Sequence, residues 1–156
     1  MQFPANLAFY RYVDKRLKGQ RIIMKMRVFI ADDSKAVVER LADLVSAIPG
    51  VELIGQADDV PEAVRRIREL GPDTVIVDFQ MPGGNGLDIL RAIRPHHPDL
   101  SIVIWTNFPY PQYREQCINA GANFFLDKSV EFEKIPAILR NLIAHVPSAA
   151  RANQQK

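Results

Sequence analysis

Four apolar runs in this chain each end on a side chain that could do chemistry. Asp32-Asp33 follows "RVFIA" (27–31), Asp78 closes "TVIVD" (74–78), Thr106 follows "SIVIW" (101–105), and Asp127-Lys128 comes at the end of "NFFLD" (123–127). Carboxylates gathered in one place repel one another, and keeping them all ionised needs a cation. A hard divalent ion with oxygen ligands, Mg²⁺, meets that need, usually through one or two carboxylates together with water and phosphate. An ammonium and a hydroxyl nearby supply donors suited to phosphate oxygens. Carboxylates, Lys128 and Thr106 together point to phosphoryl transfer onto a carboxylate, with Asp78 as the nucleophile.

Convergence of these residues depends on the elements that carry them. Thr74 to Val77 is β-branched throughout, as in a strand covered on both faces. A further strand is predicted over "VELIGQA" (51–57). Between the strands, Val37, Leu41, Leu44, Val45 and Ile48 mark one helical face, and Val60, Val64, Ile67 and Leu70 a second. Leu87, Leu90 and Ile93 mark a third face, Tyr113, Cys117 and Ala120 a weaker fourth between Pro111 and Gly121, and Ile135, Leu139, Leu142 and Val146 a long fifth. Pro136 places Phe132 at or before the first turn of that last helix, because proline inside a helix clashes with the carbonyl four residues back. Gly71-Pro72, Pro95 and Pro98 stop helices, and Pro61 suits a first turn. Five βα units in series predict an α/β fold, a doubly wound five-stranded parallel sheet of flavodoxin-like (βα)5 form with helices on both faces. In such a sheet the first, third, fourth and fifth strands lie side by side, so their carboxyl ends meet where ligands collect.

Composition excludes several alternatives. With 156 residues, 47% hydrophobic and 24% charged, the chain suits one ordinary globular domain. Its single cysteine, Cys117, offers neither an internal disulfide nor metal-binding spacing, which makes the cytoplasm the default compartment. No apolar run approaches the ~18 residues needed to span a membrane, and charges interrupt the N-terminus where a signal peptide needs an apolar block. The net charge of +2 divides into +6 on residues 1–27 and −4 on the rest, so the domain itself is not built to bind phosphate backbones directly. Gly83, Gly84 and Gly86 lack the Lys-Ser/Thr ending of a P-loop and read as turn glycines, and His96, His97 and His145 lack ligand spacing and read as solvated. Trp105 reads as core.

The motifs "FIADDS", "VIVDFQMPGGNGLDIL", "IVIWTN" and "AGANFFLDKS", in that order and each at a strand end, resemble the receiver domain of two-component response regulators, similar in architecture to the chemotaxis regulator. The resemblance runs over 27–146, leaving a basic extension at 1–26 and a short polar tail at 147–156. It implies that Asp78 accepts a phosphoryl group from a sensor histidine kinase or a histidine phosphotransfer protein. It implies a Mg²⁺ site made by Asp33, Asp78 and the main-chain carbonyl of Gln80, with Asp32 helping through water. Lys128 would hold phosphoryl oxygens, Thr106 would swing toward them, and Phe125 would turn inward, reshaping a protein-target surface on the fourth helix, fifth strand and fifth helix. The implied chemistry is slow phosphoryl acceptance and self-hydrolysis, a switch rather than a conventional enzyme.

The sequence departs from the family pattern at three positions. Lys128 precedes Ser129 where many receivers have a cis Lys-Pro, which leaves the isomer of that peptide open. Phe125 stands where Tyr is frequent, and Asn107 where Ala or Gly is frequent, narrowing access to the acceptor. No output domain is expected within this chain. The basic stretch "YRYVDKRLKGQRIIMKM" (10–26) reads either as a contact for an acidic partner or lipid surface, or as sequence ahead of a true start at Met24 or Met26. Two further function classes stay open: a small phosphatase with an aspartyl-phosphate intermediate, and a receiver-like binding module that is never phosphorylated. A flavodoxin-type electron carrier fits poorly, because "DDSKAV" would repel a flavin phosphate.

Overall fold

The computed structural model describes residues 15–17, 20–22 and 25–144. Expectations for residues 1–14, His145, Val146 and the 147–156 tail lie outside the described residues. In chain order the elements are β1 (Lys15–Leu17), β2 (Gln20–Ile22), β3 (Met26–Ala31), α1 (Lys35–Ser46), β4 (Val51–Ala57), α2 (Val60–Leu70), β5 (Thr74–Asp78), β6 (Gln80–Met81), β7 (Gly84–Asn85), α3 (Gly86–Ile93), β8 (Ser101–Thr106), α4 (Pro111–Asn119), β9 (Phe124–Asp127) and α5 (Lys134–Ala144). The main sheet is five-stranded and parallel in the order β4-β3-β5-β8-β9, the doubly wound arrangement that the alternating pattern predicts. Two pieces have no counterpart in that pattern. β1 and β2 form an antiparallel pair of their own within the basic extension, and β6 and β7 form another just after Asp78.

The inner strands β3, β5 and β8 bury both faces, and strand alternation sorts their side chains between two cores. Phe29, Val75, Val77, Ile102, Ile104 and Phe125 face α2, α3 and α4. Met26, Val28, Ile30, Ile76, Val103 and Leu126 face α1 and α5. Helix ends follow local chemistry: the Ser34 hydroxyl caps α1 by accepting from the Val37 N–H, and the Asp59 carboxylate caps α2 by accepting from the Glu62 N–H. Gly71 closes α2 in the left-handed conformation at φ 56°. Pro136 falls in the first turn of α5, with Phe132 ahead of the helix as predicted. Trp105 is core, its ring 5.7 Å from that of Phe132, over which the Arg40 guanidinium sits at 3.8 Å.

Arg94 ties the lower part of the molecule together. Its guanidinium donates to the carbonyls of Leu100 at 2.7 Å, His97 at 2.9 Å and Gly121 at 2.6 Å, and to the Asn123 side chain at 3.0 Å. Burial pushes its pKa below the usual arginine value, and these carbonyl acceptors satisfy the charge in place of water. The start of β8, the end of α4 and the entry to β9 are thereby fixed to α3.

Candidate functional site

The carboxyl ends of β3, β5, β8 and β9 bring the expected residues together. Asp32, Asp33 and Asp78 each place a carboxylate oxygen within 4.8 Å of the others. Asp32 and Asp78 are buried, at 2% and 7% exposure, whereas Asp33 is exposed. Lys128 bridges the two buried acids, its ammonium 2.7 Å from Asp32 Oδ2 and 3.1 Å from Asp78 Oδ2. Asp32 also accepts from the Ser34 N–H at 2.9 Å, so it orders the turn into α1 while Ser34 does the capping. Gln80, exposed, donates its N–H to Asp78 Oδ1 at 3.3 Å and pairs with Asn85 across β6 and β7. The Lys128–Ser129 peptide is trans.

Burial and the neighbouring Asp32 charge raise the Asp78 pKa from 3.8 to about 6, against the opposing pull of Lys128. One ammonium therefore does not neutralise this cluster. Three hard oxygen donors, an incompletely compensated charge and an exposed third acid fit a divalent cation better than any soft metal.

Thr106 and Phe125 share one face of the sheet, the face toward α4. Ile104 pairs with Phe125, and Thr106 follows two residues along the same face. Thr106 is fully buried, and its Oγ1 accepts from the Phe108 N–H at 2.9 Å, leaving its own hydrogen for another acceptor. Phe125 is already inward, packed in the α2–α3–α4 core at 2% exposure with the Arg114 guanidinium 5.1 Å over its ring.

Beside the acids a cleft of about 660 Å³ opens between the β6–β7 hairpin and α4, lined by Asp33, Asp78, Gln80, Asn107, Phe108 and Tyr113 among others. Gly83 and Gly84 make the hairpin turn at φ 82° and 150°, and a Cβ on Gly84 would fall 2.6 Å from Asp88 Oδ2. The stacking of Phe79 on Tyr113, centroids 4.7 Å apart, was not legible in the sequence, since it joins the residue after Asp78 to a helix of weak period. Asn85 had a readable signal: Asn followed three residues later by Asp88 forms a capping box at the start of α3.

Comparison with known proteins agrees with this geometry. The family model for the response regulator receiver domain matches residues 28–140. The chain is 32% identical over 106 residues to the DNA-binding transcriptional activator DevR/DosR of Mycobacterium tuberculosis, covering 68% of this chain and 49% of that protein. It is 30% identical over 119 residues to the response regulator GacA of Pseudomonas viridiflava, covering 76% and 56%. The chain thus spans about half the length of the curated relatives it matches. Among solved structures, the response regulator domain of Thermotoga maritima CheB superposes with a TM-score of 0.68 at 26% identity, over 78% of this chain and 96% of that one. A LuxR-family DNA-binding response regulator from Staphylococcus aureus gives 0.70 at 25% identity, over 76% and 98%.

Proposed function

The chain belongs to the response regulator receiver domain family of two-component systems, and we propose that it is a phosphorylation switch whose acceptor is Asp78. The observation that carries this reading is the buried Asp78 carboxylate, held 3.1 Å from the Lys128 ammonium and within reach of two further acids. An Asp78 oxygen attacks the phosphorus of a phosphohistidine whose other ring nitrogen carries a proton, the P–N bond breaks, and its electron pair stays on the departing neutral imidazole. The donor is a sensor histidine kinase or a histidine phosphotransfer protein. Asp33, Asp78 and the main-chain carbonyl of Gln80, with Asp32 through water, would hold a Mg²⁺ ion, which would supply charge neutralisation for the incoming phosphoryl group.

Lys128 exchanges its contacts with Asp32 and Asp78 for a phosphoryl oxygen, a charge-assisted bond that orients the group. Thr106 donates the hydroxyl hydrogen that its bond from Phe108 leaves available. The surface that reads the change is the α4–β9–α5 face, and its partner is a protein. The −4 balance of the chain beyond residue 27 supports a protein rather than a nucleic-acid partner.

Acetyl phosphate with Mg²⁺ tests the chemistry without knowledge of the kinase. The expected product is a single acid-stable, base-labile acyl phosphate that EDTA prevents, with no turnover of phosphomonoesters. Steady phosphomonoester hydrolysis would instead identify a phosphatase. Absence of labelling by acetyl phosphate, phosphoramidate and a cognate kinase, with no binding of beryllofluoride, would leave a receiver fold used only as a binding module.

A further inference from the structure

Lys128 stands at the end of β9, an edge strand, with β8 between it and the strand that carries Asp78. Strands lie about 4.8 Å apart, so the ammonium crosses roughly two such spacings to reach the acceptor. A lysine stem is flexible and has many rotamers of similar energy. The direction in which the chain leaves β9 therefore decides whether the ammonium lies between Asp32 and Asp78 or in solvent.

That direction is set by a closed ring of bonds around Lys128. On one side, the Asp127 N–H donates to Glu131 Oε2 at 2.7 Å, and the Glu131 N–H returns a bond to the Asp127 carbonyl at 2.9 Å. On the other, Asp127 Oδ1 accepts from the Ser129 N–H at 2.8 Å and from the Ser129 hydroxyl at 2.6 Å, a turn in which an Asp side chain imitates a backbone carbonyl. Lys134 holds the second oxygen of Glu131. The Lys128 N–H itself donates to the Thr106 carbonyl at 2.8 Å. The ring has a second consequence. Asp127 is the carboxylate nearest to Lys128 in sequence, and Ser129 occupies its Oδ1, while the Lys128 ammonium goes to Asp32 and Asp78. The Ser129 hydrogen bonds hold the Asp127 pKa below the usual carboxylate value, and the Lys134 bond does the same for Glu131, so both acids are ionised and good acceptors at neutral pH.

We propose that Asp127, Ser129 and Glu131 are positioning residues for the transfer: they clamp the β9–α5 turn so that Lys128 projects into the acidic cluster. None of the three touches the acceptor, and each acts through Lys128. The inference rests on the reading of Asp78 as the phosphoryl acceptor for its kinetic arm, but its structural arm stands without it.

The structural arm is the lysine-ammonium ¹H–¹⁵N spectrum of the full chain. In the wild type, the buried and doubly paired Lys128 ammonium gives a signal protected from solvent exchange, assigned by its loss in Lys128→Ala. Glu131→Ala and Ser129→Ala should broaden or remove it, whereas Glu131→Gln and Ser129→Thr, which keep the acceptor oxygen and the hydroxyl, should retain it. The kinetic arm is labelling by acetyl phosphate at saturating Mg²⁺. Glu131→Ala should slow it roughly tenfold or more, as expected when a reacting partner is displaced by about an ångström. The same change in a Lys128→Ala background should add nothing, because a residue acting only through Lys128 has no effect once Lys128 is gone. An unchanged ammonium signal in folded Glu131→Ala and Ser129→Ala proteins overturns the clamp, and so does a full additional loss in the Lys128→Ala background. A signal that responds as expected in a protein no donor labels keeps the clamp and removes the acceptor reading instead.

Discussion

α3 begins at the hairpin that borders the cleft beside Asp78, α4 lines the other side, and the two helices are held in opposite ways. α3 buries Gly86, Leu87, Ile89, Leu90 and Ile93 in eight residues, and Asn85 and Asp88 close its start with a reciprocal capping box. Gly86 has no Cβ, and one there would sit 3.2 Å from the Phe79 Cα, so the helix begins flush against the end of β5. α4 buries only Cys117 in nine residues, and its start at Tyr110 has no side-chain cap. Much of what anchors α4 is ring contact: Tyr113 on Phe79, Tyr110 edge-on to Tyr113 at 5.6 Å, and Arg114 over Phe125. Such contacts contribute about 0.5–1.5 kcal/mol each beyond area burial, against roughly 1.5–3 kcal/mol for each fully buried large aliphatic side chain of α3. On the proposed reading, a rearrangement at Asp78 would be taken up on the α4 side, where little buried contact is lost, while α3 holds β5 in place.

The contrast is tested most strongly by truncation in the two helices. Leu90→Ala, at a fully buried α3 position, should cost about 2–5 kcal/mol by urea denaturation, whereas Cys117→Ala in α4 should cost on the order of 1 kcal/mol. Equal losses would mean that α4 is anchored as firmly as α3.

The floor of the cleft supplies the next test. The Asp78 pKa of about 6 lies above its unfolded value near 3.8, so folding favours the protonated acid. Its contribution to stability is fully present below about pH 4 and is lost as pH rises through about 6. Without metal, the wild type should lose stability across that window, and Asp78→Asn should flatten the slope. Mg²⁺ at neutral pH should restore stability to the wild type by binding only the folded cluster.

A smaller effect separates the two helix starts. Asn85→Ala should cost about 1 kcal/mol by removing a cap, while Tyr110→Ala should leave helix capping unchanged because no capping bond exists there. The smallest signal is optical. Mg²⁺ should alter the emission of Trp105, whose backbone pairs with Asp78, with the titration lost in Asp33→Ala. Unchanged Mg²⁺ affinity of Asp33→Ala by calorimetry would contradict its assignment as a ligand.

The sheet and α1 to α3 were legible because β-branched runs such as Thr74–Val77 and the Leu87, Leu90, Ile93 period record burial directly in side-chain type. α4 read weakly for the same physical reason that makes it the looser helix: it buries little, so its sequence carries little pattern. β6 and β7 left no trace, because a ladder through Gly84 consists of backbone bonds and φ angles rather than side chains. Arg94 was equally invisible, since carbonyls, its main acceptors, are present at every residue. The acids, Lys128 and Thr106 could be grouped because strand ends in a parallel sheet meet at one edge. The turn that aims Lys128 could have been suspected from Asp127-x-Ser129, a spacing suited to an Asp turn, but the return bond from Glu131 depends on tertiary geometry.

Mass-spectrometric mapping of the label after reaction with acetyl phosphate and Mg²⁺ tests the central claim most directly, comparing the wild type with Asp78→Asn. Asparagine keeps the shape of the side chain and removes the anionic nucleophile, so the variant should fold and take no label, while the wild type carries one phosphoryl group on Asp78. A folded Asp78→Asn protein labelled as fast as the wild type, with the phosphate mapped to another residue, would contradict the account.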